Sequence, residues 1–368
     1  MRIAFDHQIF GWQEYGGVSR YAYELATGLA GACGQDVAII CPLYVNRYLA
    51  ESDVGRLVNG IRVPVFPKSG RIYRAVNTIL GWSGMRKFRP DIVHETYYST
   101  RSAAPRGAKV VLTVYDMIHE RFPENFSIAD PTRREKAAAV SRADHVICIS
   151  EQTRKDLVEM LRVPPEKTSV VHLGFTLTPA AAQAPRDETP DRPYLLYVGN
   201  RSGHKNFDGL LRAYAGSRFL QAEFDLVCFG GGEFNARERE AIEKLGAAAS
   251  RVRQVAGDDS VLASYYRQAR AFVYPSRYEG FGIPPLEAMS FGCPVACSNA
   301  SSIPEVVGDA AEMFDPTDAE SIRAAVERVV ADDARRAELV TRGTARLDEF
   351  SWKRCAEQTL DIYRRIAA

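Results

Sequence analysis

Hydrophobic and polar positions along the chain follow two distinct periods. Short apolar runs, such as residues 1–5, are typical of strands that are buried on both faces of a sheet. Between these runs, segments such as residues 18–29 repeat their apolar positions every three to four residues, which predicts amphipathic helices. Because strands and helices alternate, the pattern predicts parallel, doubly wound sheets of the α/β class.

This alternation continues through most of the sequence. The predicted strands are 1–5, 37–41, 61–66, 91–95, 109–115, 145–150, 194–198, 224–229, 271–274 and 294–297. The predicted helices are 18–29, 72–87, 132–141, 206–215, 260–270, 285–291, 318–332 and 351–368.

The pattern is interrupted between residues 178 and 193. Ala, Pro, Gln and charged residues are mixed there without a strand or helix period, which is typical of a linker. We therefore predict a first Rossmann-like domain at residues 1–180 and a second at 190–350. Since ligands of such sheets bind beyond the carboxyl ends of the strands, two facing domains predict a binding cleft between them.

Composition narrows the functional classes. The 368 residues are 46% hydrophobic, which is enough for two buried cores. The seven cysteines contain no C-x-x-C pair, which argues against a disulfide framework or a zinc site. The sequence begins directly in a strand pattern and has no long apolar run, so we expect a cytoplasmic protein. The net charge of +1 gives no reason to expect a nucleic-acid partner.

The segment with the strongest chemical signal is residues 278–287, Y-E-G-F-G-I-P-P-L-E, after a predicted strand. Its glycines allow a ligand to approach the backbone, and proline suits the first position of a helix, so we predict that the helix begins at the prolines. The amides of Gly282 and Ile283 would point at a phosphate group at that helix start. The carboxylates of Glu279 and Glu287 could accept hydrogen bonds from sugar hydroxyls. The alternative is two unrelated structural glutamates.

A second loop follows the predicted strand at 194–198 and reads G-N-R-S-G-H-K-N from Gly199 onward. Arg201 and Lys205 stand where their cationic groups could clamp a diphosphate. A solvated basic turn is the alternative for this loop.

Weaker signals follow three other strands. Gly16 and Gly17 form a glycine pair after the first strand, and Gly230 begins a triple glycine that is either a plain turn or the floor of a nucleobase pocket. Asp116 and His119 follow the strand at 109–115, where site residues are expected in this fold class. A single histidine can equally be structural.

Several motifs are missing from the sequence. It has no P-loop, no H-E-x-x-H, no G-x-S-x-G and no G-x-G-x-x-G, which argues against P-loop, zinc peptidase, serine hydrolase and nicotinamide oxidoreductase functions. It also has no D-x-D, so a diphosphate bound through a metal ion is not supported.

The pair Glu279 and Glu287, with seven residues between them, resembles the E-x7-E motif of retaining GT-B glycosyltransferases of family 4. The resemblance covers nearly the whole chain. The segments D-H-Q-I-F, Y-G-G-V-S-R-Y, Y-D-M-I-H-E and Y-V-G-N-R are similar to the bacterial polysaccharide branch, which includes mannosyl- and rhamnosyltransferases of O-antigen assembly.

The resemblance implies a role for each site residue. Glu279 would contact the hydroxyls of the donor hexose, and Glu287 would bind the nucleotide ribose. The amides of Gly282 and Ile283 would hold the diphosphate, and Lys205 matches the family's phosphate-binding lysine. Gly16 and Gly17 match the glycine loop that faces the diphosphate from the first domain. The remaining candidate site residues are Gly199, Asn200, Arg201, Gly230, Asp116 and His119.

The sequence departs from the family pattern at two strand ends. The family often has Gly-Arg where this chain has Gly199-Asn200, so Arg201 would take the place of that arginine. Many relatives have histidine at the position of Tyr115, which leaves Asp116 and His119 as candidates for contacting the sugar.

The resemblance also implies a reaction. The donor would be a nucleotide sugar, with GDP-mannose favoured, and the acceptor a lipid-linked glycan at the inner membrane. No metal, other cofactor or protein nucleophile is expected, and the leaving phosphate would act as the base. The alternatives are a sugar-nucleotide epimerase or phosphorylase, and a non-catalytic nucleotide-sugar-binding protein.

Two further expectations concern surfaces and topology. The final helix, residues 352–368, would cross back onto the first domain. A basic segment could touch anionic lipid at the inner membrane, although an ordinary solvated helix is the alternative. That segment contains Arg71, Arg74, Arg86, Lys87 and Arg89, with Ile72, Leu80 and Trp82 between them.

Overall fold

The computed structural model describes residues 1–51, 56–67, 69–179, 190–201 and 203–368. The strands are β1 Arg2–Phe5, β2 Asp36–Tyr44, β3 Val58–Arg62, β4 Ile92–Glu95, β5 Lys109–Val114, β6 His145–Cys148, β7 Thr168–Val170, β8 Tyr194–Val198, β9 Asp225–Phe229, β10 Val252–Val255, β11 Ala271–Tyr274, β12 Val295–Ser298 and β13 Glu312–Phe314.

Helices connect most of these strands. They are α1 Gly17–Ala30, α2 Arg47–Glu51, α3 Ser69–Phe88, α4 Ile118–Arg121, α5 Thr132–Arg142, α6 Glu151–Leu161, α7 Phe207–Ala215, α8 Arg218–Glu223, α9 Ala236–Glu243, α10 Asp259–Gln268, α11 Ile283–Ser290, α12 Ile303–Val307, α13 Ala319–Ala331, α14 Asp333–Arg346 and α15 Trp352–Ala367. Short 3-10 turns occupy Pro123–Asn125, Pro165–Lys167, Gly203–Lys205, Gly246–Arg251 and Leu347–Glu349.

The chain divides into two compact units. Unit 1 comprises Met1–Gly174 together with Ser351–Ala368, and unit 2 comprises Phe175–Phe350. Each unit is built on one parallel sheet with helices between most consecutive strands, which confirms the predicted α/β class with two Rossmann-like domains. Most of the predicted linker at 178–193 lies outside the described residues. Within the described ranges, no helix has both the length and the hydropathy that crossing a bilayer requires.

Unit 1 has the strand order β3-β2-β1-β4-β5-β6-β7 in the part of the chain that the structure describes. The connection reverses direction between β1 and β4, so the loops that follow these two central strands lie side by side at the carboxyl edge. Asp6 joins them, because its buried carboxylate accepts hydrogen bonds from the Thr96 amide at 2.9 Å and the Thr96 hydroxyl at 2.7 Å.

Helix α15 belongs to the core of unit 1. It begins after the N-cap Ser351, and its buried side chains recur at helical spacing along one face. Tyr363 from this helix is fully buried and hydrogen-bonds His94 of β4. Burial lowers the pKa of His94 to about 3, so this imidazole is neutral at physiological pH. At Gly28 of α1, an added Cβ would come within 2.9 Å of the Ala356 Cβ, which shows how closely α1 and α15 pack.

Unit 2 has the strand order β10-β9-β8-β11-β12-β13, and its reversal lies between β8 and β11. The interior is formed mainly by buried side chains of the central strands and of helices α7 and α13. The loops after β8 and β11 therefore meet at the carboxyl edge of this sheet. These are the loops that carry Lys205 and Glu279.

The predicted strand at 61–66 is wrong in its position. The structure places β3 at Val58–Arg62, paired in parallel with β2 at the edge of the sheet. Pro64 has no amide hydrogen to donate to a strand ladder, so the pairing ends at Val63, whose amide donates to the Tyr44 carbonyl at 2.9 Å. Gly60 lies against β2 so closely that an added Cβ would be 1.8 Å from the Cys41 carbonyl oxygen.

Candidate functional site

In unit 2 a buried carboxylate and a lysine meet at the carboxyl edge of the sheet. Glu279 follows β11 and is 7% exposed. Both of its oxygens accept hydrogen bonds from the Lys205 ammonium, at 2.7 and 2.9 Å. Burial by itself raises the pKa of the Glu279 carboxyl, but the Lys205 charge and hydrogen bonds from Lys205, Ser276 and Tyr274 outweigh it, so the pKa is lowered. Glu279 is therefore held as a carboxylate.

The backbone of Glu279 is fixed as firmly as its side chain. Its amide donates to the Ser301 hydroxyl at 3.2 Å, and its carbonyl oxygen accepts from Ser301 at 2.7 Å and from Ser302 at 3.0 Å. Ser302 is buried and also donates to the Phe281 carbonyl at 2.8 Å. The loop between β11 and α11 is thus anchored by two hydroxyls that come after β12.

Helix α11 begins immediately after this loop. Gly282 is its N-cap and has φ 112°, a conformation that side-chain-bearing residues rarely adopt. Ile283 is the first helical residue, so the prolines fill the second and third positions and not the first as predicted. The first-turn amides of a helix have no intrahelical acceptor, and the helix dipole favours an anion there. Glu287, one turn later, is 9% exposed and accepts a hydrogen bond from the Tyr266 hydroxyl at 3.4 Å.

Arg201 points away from solvent and into the turn after β9. Its side chain is 3% exposed, and its Nε donates to Glu238 Oε1 at 3.0 Å. Its other nitrogens donate to the carbonyl oxygens of Gly230 at 3.1 Å and Gly232 at 2.8 Å. Gly230, Gly231 and Gly232 all have φ between 71° and 81°. The guanidinium therefore holds together a turn that only glycines form easily.

The loop after β8 meets that same turn. Gly199 has φ 121°, and its amide donates to the Phe229 carbonyl at 2.9 Å. The Asn200 carbonyl oxygen accepts from the Tyr197 hydroxyl at 2.6 Å. The predicted nucleotide-contacting residues Gly199, Asn200 and Gly230 are thus neighbours at one edge of unit 2.

In unit 1 the predicted residues Asp116 and His119 lie beside a lysine that the sequence did not single out. Lys136 of α5 is fully buried, and its ammonium donates to the Asp116 carbonyl oxygen at 2.9 Å and to Glu120 Oε2 at 2.7 Å. The same nitrogen is 3.9 Å from the Asp116 carboxylate and 5.3 Å from the centre of the Tyr98 ring. We call Asp116, Glu120 and Lys136 the β5-end cluster.

Asp116 and His119 differ in exposure, since the side chain of Asp116 is 30% exposed and that of His119 is 19% exposed. The Asp116 carboxylate accepts from the Ile118 amide at 3.0 Å. The His119 ring stacks on Phe126 at 3.8 Å between centroids. Burial, followed by the Lys136 charge, lowers the pKa of His119, so the neutral imidazole is favoured at pH 7.

The glycine pair of unit 1 stands at the start of α1. Gly16 is the N-cap, and its carbonyl oxygen accepts from the Ser19 hydroxyl at 3.1 Å and the Arg20 amide at 2.9 Å. An added Cβ at Gly17 would meet nothing within 4 Å. The packing of unit 1 therefore does not require glycine at position 17, which leaves room for a ligand beside the helix start.

Comparisons with known proteins decide the family. Residues 15–179 match the profile described as Glycosyltransferase Family 4, and residues 181–346 match Glycosyl transferases group 1. The O-antigen chain mannosyltransferase B of Escherichia coli is 33% identical over 95% of this chain and 96% of its own length. The chain belongs to glycosyltransferase family 4.

Two more comparisons set the breadth of the similarity. The alpha-maltose-1-phosphate synthase of Mycolicibacterium smegmatis is 26% identical over the full length of both chains. The structure of sucrose-phosphate synthase from Thermosynechococcus elongatus is similar with a TM-score of 0.75 at 23% identity, covering 99% of this chain and 98% of that one. The fold of this family 4 glycosyltransferase is therefore GT-B.

The two candidate site clusters, the Lys205–Glu279 pair and the β5-end cluster, differ in how far the sequence could identify their members. The Lys205–Glu279 pair joins two residues that the family motif marks. Lys136 lies in a helix rich in Arg and Ala, where a lysine usually faces solvent. The sequence offered one hint of a buried cation here: Glu120, a second carboxylate, directly follows the predicted site residues Asp116 and His119. Among the described residues, no group of three or more His, Cys, Asp or Glu side chains is arranged to hold a metal ion.

We expect Arg201→Lys to lower the free energy of unfolding by about 1–3 kcal/mol. Lysine keeps the charge beside Glu238, but it lacks the planar fork that serves two glycine carbonyls, so buried acceptors lose their donors. Chemical denaturation followed by far-ultraviolet circular dichroism would measure the change, because all three tryptophans lie in unit 1 and would not report on unit 2.

Arg237→Lys is the matched control, because Arg237 also pairs with a carboxylate in unit 2 but its side chain is 83% exposed. Its effect should stay within about 0.5 kcal/mol. Equal stability of the two variants would show that Arg201 does not organise the glycine turn.

Proposed function

We propose that this glycosyltransferase transfers a hexose with retention from a nucleotide sugar, with GDP-mannose favoured, to a lipid-linked glycan in surface polysaccharide synthesis. The single observation that carries the proposal is the buried Glu279 carboxylate, paired with Lys205 at the start of helix α11. A carboxylate suits the hydroxyls of a sugar, while the lysine and the helix amides suit a diphosphate. The mannosyltransferase similarity supports the choice of sugar.

In the proposed reaction, the bond between the donor's anomeric carbon and the diphosphate oxygen breaks. A new bond forms from that carbon to the acceptor oxygen on the same face, and the acceptor proton passes to the leaving phosphate. Lys205 and the first-turn amides of α11 stabilise the charge that develops on the diphosphate, which is usually the largest catalytic contribution. No protein nucleophile and no metal take part in this scheme.

Lys205 has to serve two partners in this scheme. Without ligand, it donates to both oxygens of Glu279, and its side chain is 22% exposed. A bound diphosphate would compete for this ammonium and leave Glu279 with the Ser276 and Tyr274 hydroxyls. The freed carboxylate oxygen could then accept from a donor hydroxyl.

The proposal is tested by thermal shift with GDP, UDP, ADP and their common sugar conjugates, with and without EDTA. A ligand at 100 times its Kd stabilises the folded state by about 2.7 kcal/mol. We expect the largest shift with GDP and GDP-mannose, unchanged by EDTA, and a much smaller one in Lys205→Met. A shift with UDP or ADP alone would mean that the donor is a UDP- or ADP-sugar and not GDP-mannose. No shift with any nucleotide would favour a non-catalytic role.

Lys244→Met is the control for this experiment. Lys244 also pairs with a glutamate in unit 2, at 2.8 Å from Glu240, but it is exposed on helix α9's C-terminal side. Its nucleotide response should equal that of the native chain.

A second reaction is favoured by one specific similarity. The full-length match to a maltose-1-phosphate synthase supports transfer to a sugar phosphate in place of a lipid-linked glycan. Assays with the identified donor and either acceptor would separate the two reactions. The one-bond coupling between the anomeric carbon and its hydrogen in the NMR spectrum of the product would test retention. Release of a sugar 1-phosphate from a glycan and inorganic phosphate would instead indicate a phosphorylase, and conversion of the nucleotide sugar to its epimer without an acceptor would indicate an epimerase.

A further inference from the structure

The surface of unit 1 around α3 has an unusual distribution of charge. From Val54 to Pro90 the sequence contains eight Lys or Arg residues and no Asp or Glu. Four of these cations are in the 20-residue helix α3 itself: Arg71, Arg74, Arg86 and Lys87. Arg74 is paired at 2.8 Å with Glu135 of α5 and is the least available of the four. The helix therefore offers cations without carboxylates of its own.

The side of α3 that faces the sheet is narrow. Its buried residues are Ser69, Tyr73, Asn77, Gly81 and Met85, which recur every four residues. Asn77 fixes this side by accepting from the Leu43 amide at 2.7 Å and donating to the Leu43 carbonyl at 2.8 Å.

The opposite side of α3 is apolar and exposed. Ile72, Ile79 and Arg86 are spaced by seven residues, or about two turns, so they share one face. Ile79 is two residues from both Asn77 and Gly81, which places it about 200° around the helix from the buried stripe. Ile79 is 71% exposed and Ile72 is 53% exposed. Trp82 lies beside this face, with the Arg86 guanidinium 4.6 Å from its ring centroid.

Exposed apolar side chains are concentrated at this surface. Of the twelve large hydrophobic residues that are exposed in the described part of the chain, seven lie between residues 61 and 82. Phe66 packs against Tyr73, whose hydroxyl donates to the Pro64 carbonyl at 2.6 Å, so the segment before α3 is held against the helix. Together with α3 this segment forms one surface, which we call the α3 surface. Its seven exposed residues are Ile61, Val65, Phe66, Ile72, Ile79, Leu80 and Trp82.

We propose that the α3 surface docks unit 1 onto an anionic lipid bilayer. Helices that lie in the plane of a membrane interface expose apolar and tryptophan side chains with arginine and lysine around them. Helix α3 has exposed isoleucines at the centre of its outer face, a tryptophan beside them, cations nearby and no carboxylate of its own. The apolar side chains enter the boundary of the acyl chains, and the cations meet lipid phosphates. The binding itself is independent of the proposed transfer reaction, and only its purpose, access to a lipid-linked acceptor, rests on that function.

Sedimentation of the full chain with vesicles tests this proposal. We expect binding to phosphatidylglycerol–phosphatidylethanolamine vesicles, weaker binding at high salt, and little binding to phosphatidylcholine. Ile79→Glu should lower the partition coefficient by about tenfold or more. The double variant Arg86→Gln/Lys87→Gln should lower it by about fivefold for each cation removed.

Two control variants separate docking from general effects of charge and hydropathy. Ile128→Glu changes a fully exposed isoleucine of unit 1 outside the α3 surface. Lys353→Gln/Arg354→Gln removes the same two charges from exposed positions on α15. Both should bind vesicles like the native chain, and every variant should keep its nucleotide thermal shift.

Three results would overturn the proposal. They are absence of binding to anionic vesicles, equal binding to phosphatidylcholine, and native binding by both α3 variants. Since no nucleotide or acceptor is present in the sedimentation experiment, its failure would leave the proposed transferase function untouched. Conversely, a missing nucleotide shift would not affect the lipid result.

Discussion

Replacing Glu279 with glutamine is expected to lower kcat/KM for hexosyl transfer by about 10²- to 10³-fold, the usual effect of removing one preorganised polar contact to a reacting sugar or phosphate. Glutamine keeps the shape of the side chain but removes the negative charge that orients Lys205. The measurement is initial rate against donor concentration with the donor identified by thermal shift.

The difference in stability between the native chain and this variant should depend on pH in a defined direction. The folded-state pKa of Glu279 is lowered, so its ionised form stabilises the fold above the ordinary carboxyl range, and this contribution is lost as the pH falls through the lowered pKa. The difference in melting temperature between native chain and Glu279→Gln should therefore shrink in acid. Glu349→Gln, which removes an exposed partner of Arg346, is the control and should leave transfer unchanged. If Glu279→Gln kept the native turnover, Glu279 would not be a residue of the active site.

Lys136→Met is expected to lower the free energy of unfolding by about 3–5 kcal/mol. The substitution leaves the Glu120 carboxylate, whose side chain is 5% exposed, buried without its cation. It also removes the donor to the Asp116 carbonyl oxygen. Denaturant titration would measure the loss.

A double variant separates the stability of the β5-end cluster from its role at the site. In Lys136→Met/Glu120→Gln the carboxylate that still lacks its cation is Asp116, which is 30% exposed, so no deeply buried charge is left unpaired and much of the stability should return. Transfer should remain impaired, because the Asp116 carbonyl oxygen still lacks its donor. Lys167→Met is the control: Lys167 donates to carbonyl oxygens at the other end of α5, at 3.0 Å from both Val140 and Ser141, and has no part in the cluster. Full recovery of both stability and transfer would limit Lys136 to balancing the Glu120 charge.

Much of the fold could be predicted because buried parallel strands are continuous apolar runs. The strands at 194–198 and 271–274 were predicted with their observed bounds. Strands β7, β10 and β13 were not predicted, because each is short and contains polar or charged residues, as in the sequence V-R-Q-V of β10. These segments become strands because they pair with a neighbouring strand in the folded sheet, although their own residues have little preference for strand structure.

The site could be predicted as a set of loops but not as a set of contacts. Sequence placed Glu279 and Lys205 after their strands, and the sheet order brings those strands side by side. It could not show that Arg201 points inward to glycine carbonyls, since a side chain's direction depends on burial that arises only in the folded chain. The same limit applies to Lys136, whose partners lie 16 and 20 residues away on another element.

The division of unit 1 into Met1–Gly174 and Ser351–Ala368 has a consequence for how the protein is made on the ribosome. Domains generally fold as they emerge, amino-terminal part first. Unit 1 cannot do so completely, because the tyrosine that pairs with His94 and the helix that packs against α1 are translated after the whole of unit 2. While unit 2 is being synthesised, the side of α1 that packs against α15 stays uncovered, so it exposes surface that a chaperone could protect.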